Sequence, residues 1–143
     1  VALAGAVLAA IVATGTGLAV AGATADGPEV PLGPGLVTVE VGVEHSRFSL
    51  DDLTVRAGTV VRFVLRNGDP IAHELVVGDE DVHARHSVGT EAAHPPVPGE
   101  VAVGPGETGL TVYDFAEPTT LVFACHLPGH VAYGMVGEVA VVP

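Results

Sequence analysis

Residues 50–75 read LDDLTVRAGTVVRFVLRNGDPIAHEL. Leu53 to Gly58 is a short strand running into a turn. Thr59 to Asn67 (TVVRFVLRN) is a strong strand of β-branched and apolar residues, closed by the turn formers Asn67-Gly68-Asp69-Pro70. Ile71 to Val77 resumes as a strand and carries His73. Two turns separate three extended runs here, which is the rhythm of a β-protein.

The same rhythm continues on both sides. Val37, Val39, Val41 and Val43 alternate with other residues, the period of a half-buried strand. Val101 to Val103 leads into a Pro105-Gly106-Glu107 turn, and Thr108 to Val112 continues as a strand. Thr119 to Cys125 (TTLVFAC) and Met135 to Val142 are the last two strands. No long amphipathic helix and no internal repeat is visible. The expectation is an all-β Greek-key β-sandwich of seven to eight strands, spanning 36–143.

Three segments fall outside that rhythm. Residues 1–25 carry no charge and consist of small and aliphatic residues. As a helix this length reaches about 37 Å, enough for a bilayer core. It ends Ala23-Thr24-Ala25, a small-x-small pattern that a signal peptidase can cut. No initiator Met or basic region precedes it, so the chain is expected to begin partway into an export segment. A cleaved signal peptide and a retained membrane anchor both fit, and both place the domain outside the cytoplasm, in the periplasm or beyond the cell. Residues 26–35 (DGPEVPLGPG) read as a Gly/Pro-rich linker. Residues 78–100 (GDEDVHARHSVGTEAAHPPVPGE) read as a polar insertion, with room for one short helix near Glu80 to His86.

Charge narrows the partners. Seventeen acidic residues face five basic ones, all of them Arg, for a formal net charge of −12. Nucleic acid is excluded as a partner, because phosphate contacts need Lys and Arg. Two readings of the acidity remain: solubility alone, or steering towards a redox partner with a basic docking surface. The chain is expected to be a monomer, with membrane attachment only through residues 1–25.

The chain has one Cys and one Met, and both lie in FACHLPGHVAYGM at 123–135. The spacing is C-x4-H-x4-M: Cys125, His130, Met135. Taken singly, a lone Cys is a small core hydrophobe, a lone Met fills a gap and a His in a Pro-Gly loop is solvated. Together they form a donor set. A thiolate and two imidazoles with a weak thioether make a blue-copper electron-transfer site. The second imidazole must come from elsewhere, and His73 is placed for it after the 67–70 turn. Leu121, Phe123 and Cys125 share one strand face, so Cys125 is expected to point into the core. Pro128-Gly129 turns the chain so that His130 can return beside the sulfur.

The pattern of 50–75, the PGET turn at 105–108 and FACHLPGHVAYGM resembles the cupredoxins, the plastocyanin and azurin superfamily of small blue copper proteins. The ligand spacing is similar to that of rusticyanin and of periplasmic plastocyanin-like copper proteins. The resemblance covers roughly 48–142. It implies one copper per chain, with His73, Cys125 and His130 as equatorial ligands and Met135 as the axial one. It also implies a carrier of single electrons, or a copper-binding protein of resistance or delivery, rather than an enzyme. Many cupredoxins have Asn after the first His as a brace for the ligand loops; here the residue is Glu74.

Copper oxidases share this fold but place a His directly before the blue-copper Cys, where this chain has Ala124. His126 is expected to be an exposed loop residue. His83 and His86 lie three apart and would share a face if helical. With Glu80, Asp81 or His94 they could hold a second metal, although a solvated polar loop is the expectation.

Overall fold

The structure, a computed structural model, describes residues 30–88 and 95–143. The hydrophobic segment 1–25 and His94 lie outside the described residues. Among the described residues no helix is long and apolar enough to cross a membrane.

Among the described residues nine strands and two short helices follow one another: β1 (Gly35–Glu44), β2 (Arg47–Phe48), β3 (Asp52–Arg56), β4 (Thr59–Asn67), β5 (His73–Gly78), α1 (Glu80–Ser87), β6 (Glu100–Val103), β7 (Thr108–Phe115), β8 (Thr119–Ala124), α2 (His130–Tyr133) and β9 (Val136–Val142). They form two sheets, ordered β2-β1-β4-β7 and β3-β9-β8-β5-β6. The expected β-sandwich is present. The strand beyond the expected eight is the two-residue β2. Two pairings are parallel, β1 with β4 and β3 with β9; the others are antiparallel.

The core lies between the sheets. Val39, Val41 and Val43 of β1 and Val61, Phe63 and Leu65 of β4 face Leu75, Leu121, Phe123 and Val139 of the other sheet. The intervening Arg62 and Arg66 of β4 are exposed and pair with Thr38 and Glu40 of β1. This is period-two burial at work. Leu32, within the Gly/Pro-rich stretch, docks beside Val55: its N–H donates to Thr54 O and its carbonyl accepts from Arg56 N–H.

β5 departs from alternation, because all six of its residues are buried. It lies between β8 and β6, and α1 covers its outer face. A strand with both faces covered reads as a near-continuous apolar run, as Leu75, Val76 and Val77 do here, with His73 and Glu74 the buried polar exceptions. Gly78 makes room for the helix, since a Cβ there would come within 2.7–2.8 Å of the Val82 side chain. Asp79 caps α1 by accepting from Val82 N–H at 3.0 Å. Glu80 and Asp81 in the first turn and Arg85 in the last complement the helix dipole.

Gly137 of β9 sits opposite Phe123, and a Cβ there would collide with the Phe123 ring and the Asp51 carbonyl. Gly137→Ala is therefore expected to destabilise the fold by about 1–3 kcal/mol, the usual cost of overpacking. A denaturant melt with an unchanged midpoint would show that β8 and β9 are not so tightly stacked.

Candidate metal centre

Two turns of chain converge at one end of the sandwich. The first is 67–73. Asn67, buried at the end of β4, donates from Nδ2 to the carbonyls of Ile71 and Gly104 at 2.7 and 2.9 Å, and its Oδ1 accepts from Asp69 N–H at 2.9 Å. Ile71 and Ala72 thus belong to the turn, and the strand begins at His73. Asp69 then does two things. Its two carboxylate oxygens accept the N–H groups of His45 and Ser46, both at 2.7 Å. Those residues form the β1–β2 turn, both with φ of 54°, a left-handed pair normally filled by Asn and Gly. The carboxylate compensates for the conformation. The same Oδ2 lies 3.0 Å from His73 Nε2.

His73 is fully buried. A carboxylate only accepts, so the Nε2 proton faces Asp69, and Nδ1 keeps its lone pair. Nδ1 is buried and has no hydrogen-bond partner. An orphaned buried acceptor of this kind needs a reason, and a metal ion provides one. The carboxylate–imidazole–metal relay is the usual way to fix a ligand's tautomer.

The second turn is 125–135. α2 is one turn of helix bracketed by Gly129 and Gly134, at φ of 84° and 107°. Gly supplies these left-handed positions without a Cβ penalty. The loop closes on itself through the main chain: His130 N–H donates to Leu127 O, Met135 N–H to His130 O and Cys125 N–H to Met135 O. Arg47 lies over the Tyr133 ring at 5.2 Å and pins the loop to β2.

The structure brings His73, Cys125 and His130 together, with one donor atom of each within 4.8 Å of the others. Cys125 Sγ lies 3.2 Å from His130 Nδ1, and the two imidazole rings are 4.9 Å apart. Met135 is fully buried in the core cluster that also contains Cys125. Burial pushes the Cys125 thiol up, against the pull of the Glu74 and Leu127 N–H groups. Burial, and then the neighbouring His73, pushes His130 down. Both shifts favour the neutral thiol and imidazole, and a cation that takes the site displaces the thiol proton.

Glu74 takes the bracing position. It is buried, its N–H approaches Cys125 Sγ at 3.5 Å, and its Oε1 accepts from His126 N–H at 2.8 Å. His126 is not the exposed loop residue expected. It is half-buried against α1, with Nε2 2.8 Å from His83 Nδ1 and its ring 5.8 Å from that of His86. The solvated-loop expectation for His83 and His86 fails for the same reason: both are half-buried on one face of α1. Burial, and then His83 and His86, lowers the pKa of His126. Sequence reading missed the roles of Asp69 and His126, because residues 45–46 and α1, which they meet, are distant from them in the chain. The one local signal was the irregular Glu74 after His73.

The sequence pattern described as copper binding proteins, plastocyanin/azurin family, matches residues 36–142. The "Copper-resistant cuproprotein CopI" of Rubrivivax gelatinosus is 38% identical over 135 residues, 87% of this chain and 82% of the relative. The protein of the same name from Pseudomonas aeruginosa is 30% identical over 139 residues, 74% of this chain and 76% of the relative. The crystal structure of dithionite-reduced auracyanin from Roseiflexus castenholzii superposes with a TM-score of 0.63 at 27% identity, covering 74% of this chain and 97% of auracyanin.

The Asp69 carboxyl is held below its ordinary value, first by the Ser46 N–H and also by His45 and His73, with burial opposing. Its stabilisation is thus complete above the ordinary carboxylate range and is lost as pH falls through its own lowered value. In metal-free protein, Asp69→Asn is expected to lower Tm at pH 7, with the gap to wild type closing in acid. A gap independent of pH would mean that the charge is not what matters. The same variant is expected to weaken copper binding about 10- to 100-fold.

Proposed function

The chain belongs to the plastocyanin/azurin family of copper-binding proteins, and from that premise we propose that it holds one copper with His73, Cys125, His130 and Met135 and serves copper tolerance outside the cytoplasm. The observation that carries the ligand set is the buried, partnerless Nδ1 of His73 in a donor cluster with Cys125 and His130. Met135, whose main chain is tied to Cys125, would supply the thioether. The tolerance role is supported by the two relatives called copper-resistant cuproproteins, each overlapping about three quarters or more of both chains. The uncharged segment 1–25 supports export to the periplasm or cell surface.

Bound copper supplies a Cu(I)/Cu(II) couple. The protein's part is placement. Thiolate and thioether suit Cu(I), and the imidazoles accept either state. Asp69 keeps the His73 proton on the far nitrogen, and Glu74 holds the Cys125 strand end in place. This is a binding site with no catalytic group assigned to it, and we read the chain as a copper binder rather than an enzyme.

One observation favours a second reading, a one-electron carrier between redox partners. The donors are already gathered, so a change of oxidation state needs little rearrangement. His130 is half-buried beneath exposed Pro128, Gly129, Val131 and Ala132, a small apolar face fit for brief docking. The net charge of −12 suits a partner with a basic surface.

Titration of the full chain with Cu(II) is expected to give an intense thiolate-to-copper absorption band that saturates at one copper per chain. Cys125→Ser should lose the band and keep the far-ultraviolet circular dichroism of the fold; a band that survives would overturn the ligand set. Kinetics separate the two roles. Release of copper to a competing chelator faster than electron exchange with a small redox partner supports tolerance, and the reverse order supports the carrier.

A further inference from the structure

On the outer face of the β5–β8 sheet, three imidazoles meet. His83 and His86 stand three residues apart on α1, and His126 comes from the residue after Cys125. The rings of His83 and His126 are 5.1 Å apart, and those of His86 and His126 are 5.8 Å apart. The ring of His73 pairs with that of His130, and those of His83 and His86 pair with that of His126.

Each helix imidazole is oriented from behind. His83 Nε2 lies 3.0 Å from the Val122 carbonyl, which only accepts, so that nitrogen carries the proton. His86 Nε2 lies 3.2 Å from Glu100 Oε1, which also only accepts, with side chains 13% and 12% exposed. In the neutral rings both lone pairs are therefore on Nδ1. His83 Nδ1 uses its lone pair to accept from His126 Nε2 at 2.8 Å. A carbonyl or carboxylate behind each of two imidazoles is the arrangement that fixes metal-ligating histidines.

The geometry points to a second metal site formed by His83, His86 and His126, which takes one exchangeable Cu(II) or Zn(II) ion. Imidazole nitrogens suit both ions, and three of them leave a fourth position for water. Bonds of about 2.0–2.1 Å in a tetrahedral arrangement separate neighbouring donors by about 3.3 Å. The His83–His126 pair therefore opens by about half an ångström as the ion replaces the shared proton. His126 stays neutral by moving that proton to its Nδ1, so no net proton leaves. The His86 ring, stacked on His126 with 29° between planes, must tilt its Nδ1 towards the ion. The three residues are half-buried, whereas His73 is fully buried. The alternative is a structural cluster that anchors α1.

The test uses the full chain, first saturated with copper as judged by the thiolate band and freed of excess metal. Zn(II) alone is then titrated in, with bound zinc counted by elemental analysis. One zinc per chain is expected without loss of the copper band. The double variant His83→Ala, His86→Ala is expected to bind that zinc at least tenfold more weakly and to keep the band. Nuclear magnetic resonance of the wild-type protein gives a readout independent of the variant: zinc should shift the ring signals of His83, His86 and His126 together. No second ion, equal zinc affinity in the double variant, or shifts confined to other histidines would overturn the site and leave a structural cluster only. Failure of the copper centre would show separately, as a missing thiolate band.

Discussion

The ladder between β5 and β8 ends at Val76 opposite Ala124, and two residues beyond it the side chain of Glu74 takes over the pairing. Its carboxylate accepts the His126 N–H while its own N–H approaches the Cys125 sulfur. Backbone rungs would have held both chains flat and extended. A side-chain rung lets the chain after Ala124 curl into the 125–135 loop while its start stays fixed to β5. Cys125, which that loop must present, is set by this one substitution of carboxylate for carbonyl. Because Glu74 is buried, loss of its acceptor would leave a donor stranded, a costlier event than loss of an exposed contact.

Asp69 plays the matching part on the other side. It spans the β1–β2 turn and His73, so a strained backbone and a ligand's tautomer depend on the same two oxygens. Networks of this kind rigidify when every member is satisfied. At this one the unsatisfied atom is His73 Nδ1, the position where a cation completes it.

Cys125 and His126 are neighbours in sequence but serve opposite faces. Successive residues of an extended chain point to opposite sides, so the sulfur enters the core and the imidazole meets α1. The helix is there because β5 is covered on both faces, and Gly78 and Asp79 admit and cap it. An insertion that interrupts the strand rhythm thus supplies two of the three imidazoles beside the copper centre.

Much of this was legible in the chain itself. Alternating valines and turn residues at short intervals specify a two-layer β-fold, because period-two burial leaves few other ways to remove those side chains from water. Cys125, His130 and Met135 lie within one loop, and their chemistry could be read from spacing alone. What distance in sequence concealed, tertiary structure decided: the parallel pairings of β1 with β4 and β3 with β9, the reach of Asp69 back to residues 45 and 46, and the burial of His126. Local patterns report which face of an element is apolar. Which polar group meets which across a core depends on how the sheets are stacked, and no local pattern encodes that.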